Sequence, residues 1–235
     1  MFFDPAYLLM VVLPALILSG GASLLVKSAF NKYSRIGSRH NMSGAEAARR
    51  LLDRAGIDDV EIVRVPGSLS DHYDPVHKRL ALSEPVHDSR SIAAIGVATH
   101  EAGHAIQHAT GYAPLKMRSA IVPVAHIGSS IGMLAMMIGL ALMYVSPIGQ
   151  WILVVGVVLF AGMLLFQLVT LPVEFNASRR AKRLVVESGI IDPDEREGID
   201  RVLGAAALTY VAAAISTALT LLYFLWRSGL LGGRD

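Results

Sequence analysis

The 235-residue sequence contains no cysteine, which excludes disulfides and thiolate metal ligands together. Any transition metal held by this chain must use His, Asp or Glu. Charge is scarce as well: Asp, Glu, Lys and Arg make up 17% of residues, against about a quarter in an ordinary soluble domain. No Lys or Arg precedes Lys27. The first apolar run therefore lacks the positive flank of a cleaved signal peptide and reads as a retained anchor. Internal repeats and low-complexity segments are absent too, and no nucleic-acid partner is expected.

What is present is apolar: 53% of residues are hydrophobic. Four runs are long enough to cross a bilayer, which takes about 20 helical residues. They cover residues 7–26, 121–145, 148–171 and 203–226, and Trp226 with Arg227 forms an interfacial pair at the end of the last. The expected fold is a mainly α-helical membrane protein with about four transmembrane helices and a small α+β, zincin-like catalytic region on the cytoplasmic face. Residues 1–26 form the first transmembrane helix, 27–118 a cytoplasmic region and 119–171 a transmembrane hairpin. Residues 172–202 form a second cytoplasmic segment, and 203–235 the fourth helix with its tail. The basic residues orient this arrangement. Between Lys27 and Arg118 lie 13 of the 21 Lys and Arg, and residues 172–202 hold six more, so both stretches belong on the cytoplasmic side.

Within 27–118, Ser43 and Glu46 make a capping box that opens an amphipathic helix through Arg54, and Gly56 fits its stop. Residues 60–65, 69–73 and 78–82 read as strands. The last is a candidate exposed edge, to which an extended peptide substrate adds as a further strand. Ser91 starts a helix through about Thr110, ended by Gly111 and Pro114. Farther on, Pro172 is expected to break the third span, with Glu174 opening a charged helix to Glu187. Residues 192–200 are expected to make a turn and a short solvated helix before span four.

The chemistry concentrates in His100-Glu101-Ala102-Gly103-His104. On a helix the two histidines lie one turn apart on one face, so both imidazoles converge on a single Zn²⁺. Zinc lowers the pKa of a water in its open position toward about 7. Glu101 is placed to take that water's proton during attack on a peptide carbonyl, and to pass it to the leaving amine. Gly103 keeps the helix surface open beside the metal. The bland alternative is a helix with two histidines on a solvated face; the small apolar flank 92–98 argues against it.

A catalytic zinc keeps three protein ligands. Glu174 is the leading third ligand, because a two-span hairpin returns it to the face where the motif helix ends. The alternatives are His108, Asp71 and Asp74, and Glu174 itself has a competing reading as the N-cap of an Arg-rich helix. Oxyanion donors are sought among His72, Tyr73 and Tyr210.

Four strings carry a resemblance. They are Leu69 through Pro75, Thr99 through Gln107, Leu171 through Ala181, and Ala207 through Ala213. Together they resemble the bacterial membrane-bound neutral zinc metallopeptidases called YugP-like. The arrangement is also similar to that of HtpX-type and prenyl-protein-type membrane proteases, where a Glu-Phe/Tyr-x-Ala-Asp string supplies the third zinc ligand. The resemblance implies a gluzincin-like, multi-pass metalloendopeptidase of the bacterial inner membrane, acting on peptide or membrane-protein substrates, with Zn²⁺ held by His100, His104 and Glu174. One position departs: Ser178 stands where those relatives carry the Asp that orients a zinc-ligating histidine. Asn176, Asp71 or Asp74 are the candidates to take over that role. The competing function is a non-catalytic zinc-binding membrane module or assembly subunit. A metal transporter would need ionisable groups in several spans, where only His126 and Gln167 occur.

Overall fold

The computed structural model describes residues 4–230. Among the described residues, four helices are long and apolar enough to cross a membrane: α1 (Pro5–Tyr33), α5 (Ala113–Leu142), α6 (Ile148–Glu187) and α7 (Pro193–Arg227). Between α1 and α5 lie α2 (Gly44–Arg54), β1 (Glu61–Val65), β2 (His72–Asp74), β3 (Arg79–Ser83), α3 (Glu84–His87) and α4 (Ile92–Ala109). The molecule is thus mainly helical with a small α+β region. It forms two compact units. One comprises residues 4–22, 117–171 and 209–230; the other comprises 23–116 and 172–208.

In the first unit, glycines replace larger side chains where α5 meets α6. A Cβ at Gly132 would stand 2.8 Å from the Phe160 nitrogen, and one at Gly156 would stand 2.5 Å from the Met136 nitrogen. Two backbones in lipid gain little from apolar burial, so contact this close supplies the attraction through dispersion. Val11, Met136, Leu140, Leu153, Phe160, Tyr223 and Phe224 form the core of this unit.

The second unit is built around α4, whose Ala93, Ala94, Ala98, Ala102 and Ala105 are all buried. A helix that is apolar on most sides is one with neighbours on most sides. Ser91 caps it by accepting a hydrogen bond from the Ala94 nitrogen, and Gly111 at φ +65° turns the chain away at its other end. The expected capping box on α2 is present: Glu46 N donates to Ser43 Oγ at 3.2 Å, and Ser43 N donates to Glu46 Oε2 at 2.7 Å.

Three expectations are corrected. The sheet order is β1-β3-β2, with β3 parallel to β1 and antiparallel to β2, so 78–82 contributes the central strand and not an edge. Burial of every residue from Leu80 to Ser83 fits a strand covered on both faces. Pro172 does not break the third span, because α6 runs through it to Glu187. Proline costs one backbone hydrogen bond, a loss that helices of this length and apolarity tolerate. Residues 192–200 form only a single 3₁₀ turn, Pro193–Glu195, and from Arg196 they continue without a break as the first α-helical turns of α7.

Candidate metal centre

His100 and His104 project from the middle of α4, and their rings meet edge to face at 4.8 Å between centroids. Glu174 comes from α6, where it is 2% exposed. It sits 26 residues into that helix, which removes the reading of Glu174 as an N-cap. Gly103 is what lets the two helices close on one another: its Cβ would lie 2.8 Å from the Ala177 carbonyl oxygen. Its role is therefore helix contact, where the sequence suggested open space beside the metal.

Glu174 stands from each histidine at the separation a shared metal needs. Glu174 Oε2 lies 3.3 Å from His100 Nε2 and 3.5 Å from His104 Nε2. Both distances are long for a charge-assisted hydrogen bond, which sits at about 2.7–2.9 Å. They match the edge of a tetrahedron whose centre is about 2.0–2.2 Å from each ligand, roughly 3.3–3.6 Å. All three ligand atoms lie within 4.8 Å of one another, and they form the one such group among the described residues. Two imidazoles and a carboxylate, without sulfur, are a donor set that zinc accepts. Burial disfavours the charged form of His104, but the Glu174 and Glu101 carboxylates outweigh that penalty and raise its pKa. The pocket favours positive charge.

Each histidine is also held from behind. An imidazole that offers its Nε2 lone pair carries its proton on Nδ1. His100 Nδ1 faces Ser178 Oγ at 3.2 Å, where the serine hydroxyl can serve as a neutral acceptor. His104 Nδ1 faces Gln107 Oε1 at 3.0 Å. The Gln107 amide nitrogen donates to the Val173 carbonyl at 2.8 Å and to Asn176 Oδ1 at 3.0 Å, and Arg180 Nε donates to the same Asn176 oxygen at 2.8 Å. These two acceptors leave Gln107 one orientation, with its oxygen toward His104. Sequence reasoning missed this residue. The sequence offered only an amide three residues beyond a histidine, on the same helix face. Gln107→Leu is expected to weaken zinc binding by about 10–100-fold, as measured by competition with a chromophoric chelator.

Glu101 is half-buried next to His100 and makes no hydrogen bond or ion pair among the described residues. Other sequence candidates are engaged elsewhere. Asp71 accepts bonds from the Ser83 nitrogen and hydroxyl at 2.8 and 3.0 Å and ties β3 to the segment before β2. Asp74 holds the turn through Val76 N, His77 N and the His77 ring, which keeps its carboxyl at about 2. His72 is exposed, with Nδ1 on the Ser70 carbonyl. The Tyr73 hydroxyl shares a hydrogen bond with His108 Nδ1 at 2.8 Å, and burial pushes its phenol up to about 12. Tyr210 stands half-buried on α7, in the unit of residues 209–230.

The family model described as "Putative neutral zinc metallopeptidase" matches residues 8–229. A protein of Bacillus subtilis (strain 168) described as "Putative membrane protease YugP" is 46% identical over 225 residues, covering 96% of this chain and 97% of that protein. No solved structure matches the chain.

Proposed function

This chain belongs to the neutral zinc metallopeptidase family, and we propose that it is a membrane-anchored, zinc-dependent endopeptidase using Glu101 as general base. The observation that carries the reading is the pair of 3.3 and 3.5 Å separations between Glu174 Oε2 and the two histidine Nε2 atoms. His100, His104 and Glu174 would hold the metal. Bound there, zinc supplies Lewis acidity that polarises the scissile carbonyl and acidifies the attacking water.

The protein's own groups do the rest. Ser178 and Gln107 fix both imidazoles with Nε2 toward Glu174. Glu101, adjacent in sequence to His100 and without a hydrogen bond or ion pair among the described residues, takes the proton from water as it attacks and delivers it to the departing amine. The basic stretches 27–118 and 172–202 support a multi-pass protein of the bacterial inner membrane with the site on the cytoplasmic side. Substrates there are peptides or membrane-proximal segments of membrane proteins. Treating the purified, full-length protein with a strong chelator is expected to abolish cleavage of an unfolded membrane substrate, and stoichiometric zinc to restore it. Protein that holds one zinc yet cleaves nothing would favour the non-catalytic module instead.

A further inference from the structure

The second unit contains a groove of about 530 Å³ between residues 25–33 of α1 and 197–208 of α7. Its lining positions recur every three or four residues along both helices, so each presents one face to it. Polarity changes along its length. At one end are Leu25 and Leu208, both exposed large apolar side chains. At the other are Lys32, Arg201, Glu197 and Asp200. Between the ends lies Gly204, where an added Cβ would meet nothing within 4 Å. The space above it is open.

The charged end holds both signs, and its groups are loosely engaged. Lys32 has no carboxylate partner among the described residues; its ammonium stands 5.0 Å over the Tyr33 ring. Arg201 reaches Glu197 only at 3.5 Å. Asp200 meets Lys182 at 3.4 Å and Arg196 at 3.6 Å. The Arg201–Glu197 and Arg196–Asp200 pairs are long and exposed, and pairs of that kind contribute little and exchange readily for a ligand; Lys182 is better buried and also reaches the Asp200 carbonyl at 3.5 Å.

We propose that this groove binds one phospholipid with a zwitterionic amine headgroup, phosphatidylethanolamine. Its phosphate lies against Lys32 and Arg201, its primary ammonium against Glu197 and Asp200, and an acyl chain runs past Gly204 between Leu25 and Leu208. Three properties select this occupant. The apolar end belongs to the parts of α1 and α7 composed to lie in a membrane, which suits a lipid better than a soluble peptide. The paired signs match a zwitterion, whereas an anionic lipid that draws Arg201 to its phosphate would leave Glu197 without its counter-ion. A quaternary amine cannot donate the hydrogen bonds those carboxylates accept.

The test offers the detergent-purified full chain equal amounts of phosphatidylethanolamine, phosphatidylglycerol and phosphatidylcholine and reads retained lipid by native mass spectrometry. One phosphatidylethanolamine per chain is expected. Gly204→Leu, whose Cβ enters open space, is expected to fill the groove and lower its retention roughly tenfold. The double variant Glu197→Gln with Asp200→Asn is expected to shift preference to phosphatidylglycerol. Zinc content and elution as a single species check that each variant is folded; if Gly204→Leu is not, Lys32→Gln with Arg201→Gln reads the same loss. Equal retention of the three lipids by the parent chain, or unchanged retention in the folded variants, would overturn the proposal.

Discussion

Glu101→Gln is expected to keep its zinc and lose proteolysis by about 10²–10⁴-fold, the usual contribution of a positioned general base. Glutamine has the same size and cannot accept the proton that attacking water must give up. Because Glu101 makes no hydrogen bond or ion pair among the described residues, the exchange breaks no structural bond. Lost rate with unchanged metal content and unchanged thermal stability would therefore report chemistry alone. Cleavage at the parent rate would remove Glu101 from the mechanism.

Glu174→Gln is expected to act one step earlier, on the metal itself. Two histidines remain after this change, whereas a catalytic zinc is held by three protein ligands. The amide keeps the shape of the side chain, so the 2%-exposed site and the packing of α6 on α4 survive. Zinc affinity is expected to fall by more than the roughly 10–100-fold that losing an outer hydrogen-bond partner costs, and proteolysis with it. Asp74→Asn serves as the comparison, because that carboxylate is committed to its own turn, and its zinc content is expected to stay at one. Metal analysis after gel filtration distinguishes the two variants.

Much of this architecture was legible in the sequence, for reasons that separate the parts that were from the parts that were not. The four spans followed from composition, since crossing a bilayer requires an apolar run whatever it packs against. Their ends did not follow. Whether Pro172 stops a helix depends on what surrounds the freed carbonyl, and here the helix continues to Glu187. Strand positions were readable from local pattern, but strand order was not. The unbroken apolar run Leu80-Ala81-Leu82 was the available sign that β3 is central.

The metal site divides in the same way. His100 and His104 are four residues apart on one helix, so local periodicity alone brings them together. Glu174 is 70 residues farther on, and it entered through the logic of a returning hairpin and a resemblance to known proteases. Gln107 carries no metal-ligand signal of its own. Its importance comes from Val173 and Asn176 on another helix, and no local pattern encodes that contact. Gly103 was read as open space for the same reason, since the carbonyl of Ala177 that it admits lies on α6.

The most direct test of the account is the coordination sphere of the zinc-loaded, full-length protein, read by anomalous diffraction or X-ray absorption. The account predicts one zinc with His100 Nε2, His104 Nε2 and a Glu174 carboxylate oxygen each at about 2.0–2.2 Å, and a fourth position free of protein. A zinc held by Asp71, Asp74 or His108 in place of Glu174, or a fourth protein ligand closing the open position, would contradict it.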